Sequence, residues 1–322
     1  MSFVINVMEN DTLKYWRNKL RWKWYQIPFL MSKNVEIESF MSEYSKPVSF
    51  DYVGPRVFEV SEKRNKINLT SKIAVVVPIY VNSLKSKRQV EKLIKSIHNQ
   101  DRKANFVFLV DDCSPLEYET FGYDIYKMMK NGGPAKARNF GIELSIDARA
   151  DIISFTDSDV VLPSNWTESI ISTFVENRFM QAISGITVSY RKTWYDLYHN
   201  INGTLNGRRF ENSKQLLYGP TCNFAIEVRS LDSLTFSEDF PLAAGEDIEF
   251  CFQFLKKGNN IGHGSKVKIY HDFGYIPFKS RKNKASFIKV FKKYAKGEKI
   301  LLEKIPEYYY FLNETNEISN IA

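Results

Sequence analysis

The sequence predicts an α/β protein built on an open, mixed, mainly parallel sheet with helices on both faces. Short apolar, β-branched runs recur at 73–79, 106–110 and 151–155. Segments of helical period separate them, and a polar cluster follows each run directly. Strand, helix, strand, helix, strand is the order of a parallel sheet in a single Rossmann-like domain. In such sheets ligands bind beyond the carboxyl ends of the strands.

Each element has its own signal. Ile73-Ala-Val-Val-Val-Pro-Ile79 reads as a buried strand, and Val90, Leu93, Ile94 and Ile97 then repeat at helical spacing. Phe106-Val-Phe-Leu-Val110 is the second strand, and Ala137, Phe140, Gly141 and Leu144 mark the next helix face. Asp151-Ile-Ile-Ser-Phe155 is the third strand. The stretch 190–217 is polar and aromatic without clear period and is expected to be a long loop or lid. A helix is expected around 287–300, ahead of a polar, frayed end. The expected boundaries are an N-terminal, partly helical extension over 1–70, a central domain over 71–275 and a basic helical tail over 276–322.

The chain has 322 residues, of which 43% are hydrophobic and 15% aromatic, enough to bury a substantial core and incompatible with general disorder. Its formal charge of +8 favours anionic partners without choosing among nucleotide phosphates, acidic glycans, lipid surfaces and nucleic acid. Cys113, Cys222 and Cys251 form no Cys-x-x-Cys pair, so neither a disulfide framework nor a thiolate zinc site is indicated. No apolar run is long enough to span a bilayer, and a cytoplasmic protein is expected. Leu13, Trp16, Leu20, Trp24 and Ile27 share one helical face next to Lys14, Arg17, Lys19, Arg21 and Lys23. That face suits packing on the main domain, or peripheral contact with the inner face of an anionic membrane.

Four places can carry chemistry. Asp157-x-Asp159 stands directly after a buried strand, where two carboxylates can hold a hard divalent cation or cap a helix. Gly132-Gly-Pro-Ala-Lys-Ala-Arg138 combines a tight turn with a helix start where Lys136 or Arg138 can meet an anion. Glu246 and Asp247 follow Gly245 at a helix N-terminus, where a carboxylate serves as a cap or as a general base. His271 ends an apparent strand, as a structural histidine or a metal ligand. No Walker loop, Gly-x-Gly-x-x-Gly fingerprint or His-Glu-x-x-His motif is present.

Taken in order, Val-Val-Val-Pro-Ile-Tyr80, Leu-Val-Asp-Asp-Cys-Ser114, Gly-Gly-Pro-Ala-Lys-Ala-Arg-Asn-Phe-Gly141, Phe-Thr-Asp-Ser-Asp159, Gly-Pro-Thr-Cys-Asn223 and Gly-Glu-Asp-Ile-Glu249 resemble the inverting family-two glycosyltransferases of the A-type nucleotide-sugar (GT-A) fold. The resemblance covers roughly 72–275. It implies that Pro78, Tyr80 and Asp112 line the nucleoside pocket of a UDP-sugar, with Arg138 near the phosphates or ribose and Asp157 near the ribose and metal. Asp159 and His271, helped by Asp157, would hold Mn²⁺ or Mg²⁺. Asp247 would be the catalytic base, with Glu246 beside it. The acceptor would be a glycan, a lipid-linked intermediate or a protein, with envelope or capsular polysaccharide synthesis as the setting. Cys113 departs from the small residue usual after the paired aspartates. The competing readings are a non-catalytic nucleotide-sugar or carbohydrate-binding module on the same fold, and a nucleic-acid binder, for which no specific motif is present.

Overall fold

Ile73–Ile79 (β1) is the axis of the sheet, with every side chain except that of Pro78 fully buried, as its β-branched content requires. The computed structural model describes residues 58–318 except 202, 212, 241–243, 275–279 and 313. The aromatic, basic helix expected over 13–27 lies outside the described residues. The chain divides into two units, Met1–Val53 and Gly54–Ala322, and the sheet with its helices belongs to the second.

From β1 the chain enters Leu84–His98 (α1), whose Ser83 and Ser86 form a reciprocal capping box. Its buried residues are Val90, Leu93, Ile94 and Ile97, the four that the spacing selects. Phe106–Asp111 (β2) and Ile125–Lys127 (β3) precede Gly133–Asp147 (α2). Ile152–Thr156 (β4) and the short Val160–Val161 (β5) lead to Trp166–Glu176 (α3) and Ala182–Ser189 (β6). Strand order in the eight-stranded sheet is β3-β2-β1-β4-β9-β6-β10-β5, where β9 is Asn223–Glu227 and β10 is Ile261–His271. β1 runs parallel to β2 and β4, and β6 runs parallel to β10. β9 joins the two groups antiparallel to both. This is the mixed α/β architecture that the sequence predicts.

Two expectations need correction. The segment 190–217 is not a long loop: it contains Trp194–Ile201 (α4) and Arg208–Phe210 (β7), followed by Leu216–Tyr218 (β8). A local signal for α4 is present in Thr193-Trp-Tyr-Asp196. The Asp196 carboxylate accepts from the Thr193 amide at 2.8 Å, and Thr193 Oγ1 accepts from the Asp196 amide at 3.3 Å, a cap made by residues three apart. Nor is the described part of the C-terminal segment irregular. After Glu246–Lys256 (α5), the tail forms Arg281–Lys304 (α6), Tyr308–Leu312 (α7) and Thr315–Glu317 (β11), and β11 pairs with β7. Its apolar residues Leu301, Ile305, Tyr308 and Phe311 are buried, and the Phe311 ring lies 4.7 Å from that of Phe58. The tail thus completes the core instead of trailing from it.

α2 also differs from its expected face. Phe140 and Leu144 are only half-buried, while the polar Arg138 and Asn139 are buried because each has partners across the site. Gly141 is where α2 meets β1 most closely: a Cβ there would lie 2.2 Å from Val76 Cγ1. Gly141→Ala is therefore expected to cost about 1–3 kcal/mol in urea denaturation, since a stiff buried valine cannot yield cheaply. Combining it with Val76→Ala should recover part of that loss, and strict additivity of the two would contradict the contact.

Candidate active site

The carboxyl ends of β1, β2 and β4 face one region. Ile79 is in register with Asp111, and the Asp112 amide donates to the Ile79 carbonyl at 2.8 Å. Asp111 is a structural residue: its carboxylate accepts from the Ser114 amide at 2.7 Å and from the Tyr118 hydroxyl at 2.9 Å. Burial, then the Asp111 charge, pushes the Tyr118 hydroxyl far above its usual range. Asp112 accepts from the Gly132 and Gly133 amides at 2.6 and 2.9 Å and so fixes the turn that starts α2. Its charge lies at that helix's positive end. Gly133 has φ +83°, a left-handed conformation that favours glycine. Tyr80, directly after β1, is 44% exposed, leaving an aromatic ring open to a ligand.

Arg138 occupies the middle of the site. It is 2% exposed and donates to Glu246 Oε1 at 2.8 Å and to Asp157 Oδ1 at 2.9 Å. Its guanidinium carbon lies 5.7 Å from the centroid of the Phe236 ring. Burial would lower its pKa, but Asp157 and Glu246 more than compensate and keep it charged. Sequence reading puts Arg138 beside phosphates; here it is a buried clamp that joins the end of β4 to the start of α5.

Asp247, next to Glu246 in the first turn of α5, accepts from the Ile248 amide at 2.9 Å. Burial, and then the Glu246 charge, pushes its carboxyl up to about 7 against the pull of Arg138. Gly245 makes the turn possible at φ +104°, and a Cβ there would meet Phe240 Cε1 at 2.9 Å. Cys222 lies buried behind the acids, and burial, then Asp157, pushes its thiol well up, which makes it inert as a nucleophile.

Asp159 and His271 face each other across the β5–β10 pairing, with Oδ1 and Nε2 3.3 Å apart. Burial pulls the imidazole pKa down, yet Asp159 outweighs it and the net shift is upward. Burial would raise the Asp159 carboxyl, but His271 and then Lys85 draw it below the usual carboxylate range. His271 Nδ1 is buried without a hydrogen-bond partner among the described residues. A carboxylate oxygen and an imidazole nitrogen turned toward each other are a donor pair that a divalent ion accepts. Among the described residues no group of three or more His, Cys, Asp and Glu is arranged to hold an ion, and the Asp157 carboxylate is turned to Arg138. The remaining ligands of such an ion would have to come from a bound phosphate or water.

The partners of two further residues, Asn223 and Asp272, appear only in three dimensions. Asn223 accepts from the Trp166 indole at 3.0 Å and donates to the Ile186 and Val267 carbonyls, tying β9 to its neighbours behind the site. Asp272, next to His271, receives Arg191 at 2.5 Å and Gln89 at 3.3 Å. No periodicity or spacing connects these residues.

A mixed α/β sheet carries one acidic pair after a central strand and a second at a helix start, joined through Arg138. The family model described as Glycosyl transferase family 2 matches residues 74–234, and the chain belongs to that family. The crystal structure of S. aureus TarS 1-349 aligns at a TM-score of 0.48 and 21% identity, over 62% of this chain and 60% of that one. The longer S. aureus TarS is covered to 36% of its length at the same score and identity. GalNAc-T7 crystallised with UDP, GalNAc and Mn²⁺ aligns at a TM-score of 0.48 and 13% identity, over 69% of this chain and 48% of that one. This chain thus spans less than two thirds of each of these structures. No curated protein matches it.

The buried clamp gives a direct test. Arg138→Met should cost about 3–5 kcal/mol in urea denaturation, because it leaves Glu246 buried without its counter-charge. Adding Glu246→Gln should recover much of the loss. A single-variant cost below about 1 kcal/mol would contradict the bridge.

Proposed function

We propose that this glycosyltransferase moves a sugar, of hexosyl type, from a uridine diphosphate donor to an acceptor hydroxyl with inversion, Asp247 acting as general base. The observation that carries the reading is the position of Asp247 in the first turn of α5, beside a Glu246 that is paired with Arg138, where burial and the Glu246 charge push the Asp247 carboxyl up to about 7. A carboxylate poised near neutrality both holds an acceptor proton during attack and stays ionised at working pH. Glu246 sets the charge beside it, and Arg138 keeps Glu246 and Asp157 in place.

Pro78 and Tyr80 flank the nucleoside in this reading, and Asp112, through a lone pair left by the Gly132 and Gly133 amides, accepts from the base. Asp159 and His271, with Asp157 in support, would hold Mn²⁺ or Mg²⁺. Such an ion supplies positive charge that stabilises the departing diphosphate. The acceptor oxygen enters from the side of Asp247, opposite the diphosphate, which inverts the anomeric centre. Donor classes with a second phosphate and acceptors belonging to an envelope or capsular glycan, free, lipid-linked or on a protein, fit this arrangement. No described helix is long and apolar enough to cross a membrane. The work is assigned to the cytoplasm, with peripheral contact at the inner membrane face through the basic N-terminal segment.

Asp247→Asn should lower kcat by about 100-fold or more with donor affinity nearly kept. In the unaltered protein kcat/KM should rise with pH and level off above about 7, a limb set by Asp247 and absent from the variant. Stability carries the opposite sign. A carboxyl near 7 in the fold and about 3.9 when unfolded favours folding at low pH, and that advantage fades as pH rises from about 4 through 7. Asp247→Asn should therefore raise Tm above pH 7 and leave it unchanged below about pH 4. Near-native turnover in this variant would remove Asp247 as the base.

In a thermal-shift screen, UDP-sugars with Mn²⁺ should raise Tm by several degrees, and EDTA or Asp159→Asn should abolish the metal-dependent part. A shift indifferent to EDTA would contradict the metal assignment.

A further inference from the structure

The C-terminal helix α6 lies outside the six motifs that carry the resemblance, yet it packs on Ala244 and Gly245, directly before Glu246 and Asp247. Gly297 is where it docks: a Cβ there would lie 2.0 Å from the Ala244 carbonyl oxygen, so only glycine allows this approach. One turn on, Leu301 is fully buried, and its Cδ1 lies 3.2 Å from where a Cβ on Gly245 would stand. Lys304 seals the end through an ion pair with Asp239 at 2.6 Å.

Lys293 and Tyr294 precede Leu301 by eight and seven residues, and Gly297 by four and three. Helical geometry puts all four on one face, the face docked against the turn before Asp247. The Lys293 side chain is half-buried, with its ammonium 5.0 Å from the Tyr294 ring centroid. Among the described residues its ammonium forms no ion pair: Asp157 and Glu246 turn to Arg138, and Asp159 turns to His271. Burial lowers its pKa, and the charges that oppose this are, in order, Glu246, Asp157, Asp159 and Asp247. A half-buried ammonium that feels the charge of four site carboxylates, with no ion pair to any of them among the described residues, can meet an anion.

We propose that Lys293, carried over the site by the docking of α6 at Gly297, binds the diphosphate of the donor and neutralises it as it leaves. This role rests on the donor reading under the proposed function. In the transfer, the acceptor oxygen bonds to the anomeric carbon and gives its proton to Asp247. The carbon–oxygen bond to the diphosphate breaks, and its electron pair stays on the phosphate oxygen facing Lys293. Without that lysine a polyanion would enter a mouth already lined by carboxylates, with Arg138 committed to two of them.

Calorimetric titration of the full chain with UDP and with uridine, each with Mn²⁺ and with EDTA, separates the possibilities. Lys293→Gln should weaken UDP by about tenfold or more, the scale of a lost charge-assisted contact, and leave uridine unchanged. Lys293→Arg should restore UDP binding to within about threefold of the unaltered protein, which excludes a folding defect. Unchanged UDP affinity in Lys293→Gln would overturn the assignment, as would equal loss for uridine and UDP. If the unaltered protein binds uridine but UDP no better, Lys293 is overturned and the nucleoside pocket stands. If it binds neither, the donor reading falls and takes the lysine's role with it.

Discussion

Arg138 is buried with a carboxylate on either side, and most of the site's geometry depends on that bridge. Such a charge is tolerable in the interior only when it is fully paired. The bridge brings together two segments remote in sequence, the Thr-Asp-Ser-Asp run after β4 and the Gly-Glu-Asp start of α5. It also explains a division of labour among four acids. Asp157 and Glu246 are held by the guanidinium and Asp159 faces His271, whereas Asp247 is left without a cation at contact distance among the described residues. The acid without a partner is the one whose carboxyl rises toward neutrality.

The surrounding fold serves to hold these groups at fixed separations. Asp112 ties the turn before α2, Asn223 ties β9 to β6 and β10, and Gly141 lets α2 lie against β1. α2 thereby brings Arg138 to the strand ends in a buried position. The C-terminal segment closes the other side, where Gly297 and Leu301 pack on the turn that precedes Glu246 and Asp247. A basic tail that looks like an appendage in sequence is thus part of the wall of the site.

Much of this is readable in the sequence, for local reasons. The three parallel strands appear as β-branched runs, and α1 as a four-residue apolar stripe, because burial and period are written into adjacent residues. The acidic pairs are readable because they sit at element ends. Pairing between remote groups is not: no local pattern says that Arg138 turns to Glu246 and Asp157, or that Asp196 closes a cap in a stretch without apolar period. Segment 190–217 passes for a loop because α4 is short and its cap, not its periodicity, marks it. The C-terminal end passes for a frayed tail because its charged residues conceal a buried face of Leu301, Ile305, Tyr308 and Phe311.

Pairing Arg138 with Glu246 and Asp157 leaves Asp247 as a carboxyl that titrates near neutral pH, and everything proposed for the chemistry depends on that ionisation. ¹³C NMR of aspartate-labelled protein, with Asp247 assigned by its Asn variant, reads it without any substrate. The expected midpoint is about 7, and it should fall clearly in Glu246→Gln, since removing the neighbouring charge favours the ionised form. A midpoint in the ordinary carboxylate range near about 4 in the unaltered protein would contradict the assignment of Asp247 as the base.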